Sequence, residues 1–415
     1  MAKSAAMTME LTTIDELEVR GRRVLLRADF NVPLKQGRSG RMQVADDTRI
    51  RAALPTIREL RRRGARLVLV SHLGRPKHRD PALSMRPVAE RLADLTGSAV
   101  RLASAVVGPD VCELTERLAP GQMLMLENVR YEPGETGNDP ELVEALSELA
   151  DVYVNDAFAT AHRAHASTEG IAHRLPCAAG RLMEREVRLL TAIVEDPKRP
   201  LVVALGGAKV SDKIGVVERF LELADVLCIG GAMAFPFLAV QGHGVGASLC
   251  PEEDLEPARR ALAAAARSSC RLELPLDLTI AEHAEASACP RGLDGVDLPD
   301  GWIGLDIGAR TAMLYAVEIS AASTVFWNGP MGRFELKPFA LGTRTIAEAV
   351  ASSSGTTVVG GGETVEAMRT FGLADRVTHL STGGGATLEL LEGRELPGVQ
   401  VLLRSRATAA AADAA

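Results

Sequence analysis

The run Leu201 to Leu205 is apolar throughout and is followed at once by two glycines and then by Lys209 and Lys213, in the stretch LVVALGGAKVSDKI. This reads as a buried strand running into a helix, and its chemistry is that of a phosphate site. Glycines let backbone N–H groups approach an anion, the first helical turn offers unpaired donors and a positive dipole end, and lysines four apart share one helical face. The spacing GxxxxGK[ST] of the common nucleotide-binding loop is absent. Taken alone, an ordinary strand-to-helix turn with surface lysines would look the same. Three further stretches repeat the theme: Cys228-Ile229-Gly230-Gly231, Val358 to Thr364 with Gly360 to Gly362, and Leu380 to Gly385 with Gly383 to Gly385. Any one of these could be a tight connection, but in a parallel sheet all such turns open on one edge, and together they favour a single polyphosphate ligand.

The first half delivers a different chemistry. Its apolar runs end in charged or imidazole groups: Val24 to Leu26 leads to Arg27, Asp29 and Asn31, Leu67 to Val70 leads to His72 and Arg75, Met123 to Leu126 leads to Arg130, and Val152 to Val154 leads to Asn155 and Asp156. His162, Arg163 and His165 follow closely. On one sheet edge these groups form a basic bowl suited to a small polyanion, since the planar guanidinium fork binds phosphate or carboxylate through two bonds. His162 and His165 at i, i+3 also allow a metal reading, although a histidine pair beside arginines more often binds anions.

Elements that could position these residues alternate between strand and helix, with helical stretches such as Arg49 to Arg63 and Arg86 to Leu95 between the runs; this implies a parallel sheet with crossovers. At 415 residues the chain predicts two domains. The helical stretch Leu182 to Val194, followed by Asp196-Pro197-Lys198-Arg199-Pro200, reads as the connector or as an ordinary packed helix of one domain. Aromatics at 3% and a formal charge of −7 argue against nucleic acid. The six cysteines are scattered without a CxxC pair, as expected of reduced thiols. Neither a membrane span nor a signal peptide is indicated, so a cytoplasmic protein without a membrane partner is expected. The ends, Met1 to Glu10 and Arg404 to Ala415, read as frayed extensions.

The motifs VLLRADFNVPL, SHLGRPK, LENVRYE, NDAFATAHRAHAS, GGAKVSDKI, GGAMAFPFL, GWIGLDIG, VFWNGPMGRFE, VVGGGET and HLSTGGGATLELLEG occur in the order, and at about the spacing, of phosphoglycerate kinases. The resemblance covers Thr12 to Leu403. It implies an α/β chain of two Rossmann-like, three-layer domains facing across a cleft and joined by an interdomain helix. By resemblance, residues 1–181 bind phosphoglycerate, 182–198 form the hinge helix, 199–392 bind nucleotide, and 393–415 return to the first domain and end in an Ala-rich tail. The implied reaction moves phosphoryl reversibly from 1,3-bisphosphoglycerate to ADP, giving 3-phosphoglycerate and ATP, with Mg2+ as cofactor, in a monomer that closes at a hinge. Carried over by motif, Asp29, Phe30, Asn31, Arg49, His72, Leu73, Gly74, Arg75, Arg130 and Arg163 resemble the glycerate-binding set. Lys213, Gly230, Gly231, Gly308, Asn328, Glu335, Gly361, Gly362, Glu363 and Thr364 resemble the nucleotide set. Arg49, Lys209, Gly361 and Gly384 are the implied catalytic positions, and Glu335 is expected on the ribose hydroxyls.

Two positions depart from the family pattern. The usual GGGD is Gly360-Gly361-Gly362-Glu363, so the implied metal ligand is Glu363, which keeps a carboxylate but lengthens its arm; DAFG is Asp156-Ala157-Phe158-Ala159. A non-catalytic or altered-specificity nucleotide-binding relative would keep the glycine turns while losing Arg49 or Lys209, and both are present. An isomerase or dehydrogenase would want a placed acid/base or the GxGxxG fingerprint with its downstream acid.

Overall fold

The computed structural model describes residues 9–37 and 40–405. The described residues up to Arg188 and from Glu395 onward form one compact unit, and Leu189–Arg394 form a second. Among the described residues no helix is long and apolar enough to cross a membrane.

In the first unit six strands lie in the order Val100–Leu102, Met123–Met125, Arg66–Val70, Arg23–Arg27, Val152–Asn155 and Cys177–Ala179, all parallel. Their sequences are apolar without alternation because both faces are covered. Val24 and Leu26 pack on one face with Ile50, Ile57 and Leu60 of helix Thr48–Arg62 and with Val88 and Leu92 of helix Arg86–Thr96. Leu25, Val68 and Tyr153 turn to the other face, against Val111 of helix Pro109–Glu116 and Leu142 and Leu146 of helix Pro140–Ser147. The result is three layers, with the carboxyl ends of all six strands on one edge.

The second unit repeats the plan in the order Arg271–Glu273, Val226–Ile229, Leu201–Leu205, Thr324–Asn328, Thr356–Gly360 and His379–Leu380, again parallel. Val202, Ala204, Val325 and Trp327 pack against Tyr315 and Ile319 of helix Ala309–Ala321 and Ile346 and Val350 of helix Leu341–Ser352. On the opposite face Phe326 stacks on Phe220 of helix Ile214–Leu223, ring centres 5.6 Å apart. Strand order reverses beside Leu201–Leu205, the switch point at which ligands of such sheets bind.

Three features differ from the sequence expectations. A small antiparallel sheet, Arg291–Leu293, Leu278–Ala281 and Ile303–Ile307, is inserted into the second unit. The ends are not both frayed: Met9–Leu11 pairs antiparallel with Leu403–Ser405, since a backbone row left open at each terminus is satisfied by the other. Residues 1–8 and 406–415 lie outside the described residues. Lastly, Lys209 and Lys213 do not sit on a helix, which begins only at Ile214.

The helix Arg181–Glu195, which leads from the first unit into the second, starts on a fixed cap. Asp156, just past strand Val152–Asn155, accepts from the backbone N–H of Leu182 at 2.9 Å and Met183 at 3.1 Å through one oxygen. Thr56 Oγ1 accepts from Arg181 N at 2.9 Å. Burial pushes the Asp156 carboxyl up to about 6, against the opposing pull of its hydrogen bonds and of Arg181. A carboxyl whose folded pKa is raised holds its proton more tightly when folded, so its contribution to stability is greatest near pH 4 and declines as pH rises to 6. Asp156→Asn, neutral throughout, should therefore cost most stability near pH 4 and less at pH 7; denaturant unfolding at the two values measures this, and a cost that grows with pH would contradict it.

Candidate active site

The glycerate-type residues lie on the carboxyl edge of the first sheet. Neighbouring strands deliver Arg27 and Asp29, then His72, then Arg130, which is why residues 100 apart in sequence become neighbours. Arg27 is buried; its Nε donates to Ser167 Oγ at 2.9 Å and its Nη2 lies 3.2 Å from His72 Nδ1. Because a guanidinium only donates, His72 Nδ1 is an acceptor and its proton sits on Nε2. Arg49, from helix Thr48–Arg62, pairs with the buried carboxylate of Asp29, whose other oxygen accepts from Asn31 N at 3.0 Å. Asn31 Oδ1 accepts from Gly74 N at 2.8 Å, and Arg130 Nη1 donates to Gly74 O at 2.6 Å.

Phe30 and Leu73 are core side chains, and their backbones are already bonded. Phe30 N donates to Ser71 Oγ at 2.9 Å and Leu73 N donates to Asn128 Oδ1 at 3.1 Å. Their work at this edge is to hold Asp29, Asn31 and His72 in place. Arg75, Arg130 and Arg163 line one pocket of about 400 Å³ together with Lys77 and His78. Arg163 Nε donates to His162 Nε2 at 3.0 Å.

The electrostatics identify the missing partner of this edge. His72 is held well below the usual imidazole range, first by burial and then by Arg27, Arg130, Arg49 and His165. His165 is pushed down to about 4 by burial and then by Arg130, Arg27, Arg163 and His162. Arg130 is lowered by burial and by Arg27 and Arg163, with Glu135 opposing. After burial, Arg27 and Arg130 make both histidines harder to protonate, so the set carries a positive field that Asp29 and Glu135 offset only in part and that an anion would relieve. Arg27 and His165 belong to this cluster although neither is in the glycerate set carried over by motif. Ser167, the last residue of the motif NDAFATAHRAHAS, and Glu135 hold Arg27 from behind, a role no sequence signal assigned to either: Ser167 Oγ donates to Glu135 Oε1 at 2.7 Å.

In the second unit the glycine turns meet at the switch point. Gly206 and Gly329 approach so closely that a Cβ on Gly206 would overlap the Pro330 carbonyl oxygen and one on Gly329 would overlap Gly206 O. Gly206 N donates to Asn328 O at 2.9 Å, Gly207 N to Pro330 O at 3.2 Å and Gly231 N to Met331 O at 3.0 Å. Lys213 Nζ donates into this junction, to Gly206 O at 2.5 Å and Asn328 O at 3.3 Å. Burial lowers the ammonium to about 8, while Glu363 and Asp212 act in the opposite sense. Lys209 is exposed, its Nζ 3.9 Å from Glu253. The turn holding both lysines is non-helical because Val210 N and Ser211 N donate to the Asp254 carboxylate, at 3.1 and 2.9 Å.

Gly361 has φ +87°, a left-handed conformation favouring glycine, and caps helix Gly362–Thr370; Asn328 lies alongside it. Thr364 is buried, and its hydroxyl accepts from Gly329 N at 2.6 Å, bracing the two turns together. Glu363 is exposed in the first helical turn. Gly384 opens the short helix Gly385–Leu391. Gly230 N donates to Leu205 O at 2.9 Å. Gly308 is packed against Asp277, whose carboxylate caps helix Ala309–Ala321 through Arg310 N and Thr311 N at 3.0 and 2.8 Å. Glu335 lies on the surface, 3.0 Å from Arg333 Nε.

The sequence model of one family, described as phosphoglycerate kinase, matches residues 14–394. The chain belongs to the phosphoglycerate kinase family. It is 53% identical over 395 residues to the phosphoglycerate kinase of Rubrobacter xylanophilus, covering 95% of this chain and 98% of that one. With that of Chloroflexus aurantiacus it shares 51% over 401 residues, covering 95% and 99%. The solved phosphoglycerate kinase of Coxiella burnetii superposes with a TM-score of 0.85 at 38% identity over 95% of this chain and 99% of that one, and that of Pyrococcus horikoshii with 0.82 at 31% over 94% and 98%. The chain is thus a glycolytic phosphotransferase, a kinase that uses ATP and ADP.

For a phosphoglycerate kinase the basic edge makes a direct statement about proton uptake. Without ligand, His165 should stay neutral from pH 7.5 down to pH 5, because its pKa lies near 4. An anion bound among Arg130, Arg27 and Arg163 would offset the part of the depression that their charges add to burial, so adding 3-phosphoglycerate should raise the imidazole midpoint. Nuclear magnetic resonance of the histidine ring follows it, and an unmoved midpoint would place the anion elsewhere.

Proposed function

We propose that the first unit binds 3-phosphoglycerate and 1,3-bisphosphoglycerate on its basic edge, through Asp29, Asn31, Arg49, His72, Arg75, Arg130 and Arg163 and the loop backbone around Phe30, Leu73 and Gly74. The second unit binds ADP and ATP among Lys213, Gly230, Gly231, Gly308, Asn328, Glu335 and Gly361 to Thr364. The observation that supports this division is the lowering of His72, His165 and Arg130 first by burial and then by the guanidinium groups around them, Arg27 acting on all three. A hinge closure about the helix Arg181–Glu195 then brings the two ligand sets together.

In this reading phosphoryl moves from the acyl phosphate of 1,3-bisphosphoglycerate to the terminal phosphate oxygen of ADP. The carbon–oxygen framework of the glycerate is untouched, the acyl oxygen–phosphorus bond breaks, and a carboxylate leaves. Both the attacking phosphate oxygen and, in reverse, the attacking carboxylate are ionised near neutral pH, so no general base is required. A loose phosphoryl transition state calls for in-line positioning and donors around its equatorial oxygens, roles assigned to Arg49, Lys209 and the amides at Gly361 and Gly384.

Magnesium fits the residues present. Among the described residues no group of three or more His, Cys, Asp or Glu forms an all-protein cage, and magnesium bound to nucleotide usually takes one or two carboxylates plus phosphates and waters. Glu363, exposed at the first turn beside the nucleotide turns, would supply that carboxylate. When bound, the ion neutralises phosphate charge. We read the enzyme further as a monomer, as the family resemblance implies, as cytoplasmic without a membrane partner, and as without nucleic-acid partners on its formal charge of −7 and its 3% aromatic content.

Arg49→Ala should lower kcat roughly 100- to 1000-fold, about 3 to 4 kcal/mol, while 3-phosphoglycerate binding changes far less. Steady-state kinetics with a direct binding titration tests it, and near-normal turnover would assign the transferring group to other donors. Glu363→Ala should raise the magnesium concentration needed for activity strongly, whereas Glu363→Asp should stay within about tenfold, or 1.4 kcal/mol. An unchanged magnesium requirement in the alanine variant would leave the ion to phosphates and water.

A further inference from the structure

Asp254 stands at the start of helix Leu255–Ala265, in the position where an aspartate ordinarily accepts from the first amides of its own helix. It makes no such bond. Its side chain is fully buried, and both oxygens are turned the other way: one accepts from Val210 N at 3.1 Å and the other from Ser211 N at 2.9 Å. Those two amides lie at the middle of the turn between Lys209 and Lys213. The neighbouring Glu253 has its carboxylate 3.9 Å from Lys209 Nζ, so consecutive acidic residues hold the turn by its backbone and by one of its lysines.

We infer that Asp254 is the positioning residue for Lys209 and Lys213. A buried carboxylate without hydrogen-bond partners is costly, and here the partners are two successive amides of a turn rich in small and polar residues. The pairing therefore fixes the turn instead of the helix. With the Val210–Ser211 peptide anchored, Lys213 N donates back to Val210 O at 2.9 Å and its ammonium is directed to Gly206 O and Asn328 O, at the mouth of the glycine junction. Lys209, on the other side of the anchored peptide, is left exposed with its ammonium 3.9 Å from Glu253. Releasing the carboxylate frees both lysines from these positions without removing either charge.

The inference rests on the assignment of Lys213 to nucleotide phosphate, and the experiment separates the two. In the full-length enzyme Lys213→Ala should weaken ADP and ATP binding and leave 3-phosphoglycerate binding intact; if it does not, the assignment itself fails. Asp254→Ala should raise the KM for nucleotide about tenfold and lower kcat, with the KM for 3-phosphoglycerate within about twofold, the scale of one misplaced charge-assisted contact. In the Lys213→Ala background the effect of Asp254→Ala on nucleotide binding should shrink sharply, since an anchor has nothing to position once the lysine is gone. Asp254→Asn, which keeps the shape and one acceptor, should fall between, and it carries the test if the alanine variant does not fold. Effects that add fully in the double variant, or a KM for 3-phosphoglycerate that rises as much as that for nucleotide, would make Asp254 a general stabiliser and overturn the inference.

Discussion

A parallel strand can present its last residues to only one edge of its sheet, and both functional halves of this enzyme follow from that constraint. The crossover helices bring the chain back to the same starting edge each time, so every strand ends on the same side. In the first unit this gathers Arg27, His72 and Arg130 from separate strands; in the second it gathers the turns at Gly206, Gly230, Gly329 and Gly361. What distinguishes the halves is the residue type delivered. Side-chain cations in one make a field, and bare backbone in the other makes room for a ligand.

The basic edge is held in place against its own repulsion. Its stability comes from the layers behind it, where Val24, Leu26 and Leu69 pack in one cluster and Leu25, Val68 and Tyr153 in another. Its specificity comes from donors already engaged: Arg27 on Ser167, Arg49 on Asp29, Arg130 on Gly74. In the proposed reading a ligand meets guanidinium groups whose orientations are set beforehand, which would limit the ordering cost of binding. The glycine turns of the second unit are fixed by crowding instead, since Gly206 and Gly329 leave no volume for any other residue.

Much of this was legible in the sequence because burial leaves a signature. Leu201–Leu205 coincides with the predicted run, since a strand covered on both faces has no polar residue to blur its ends. His72, Arg75 and Arg130 stood out as charges or imidazoles just past strands, whereas Arg49, on helix Thr48–Arg62, was marked by motif alone. What sequence could not show depended on partners distant along the chain. Lys209 and Lys213 read as helical by spacing, but Asp254 takes two amides of their turn and the helix starts later. His165 read as one of a histidine pair beside arginines, and its burial in the field of Arg130 and Arg27 was not legible. The small antiparallel sheet Leu278–Ala281, Arg291–Leu293 and Ile303–Ile307 has strands too short and irregular for a clear period.

The pairing of Met9–Leu11 with Leu403–Ser405 makes the second unit, in the covalent sense, a passenger threaded into the first. During synthesis Leu189–Arg394 is polymerised before the last strand of the first unit. Until then Met9–Leu11 lacks the strand that satisfies its backbone. Order of emergence and order of completion are thus reversed in this chain, and the amino-terminal half is the last to be sealed.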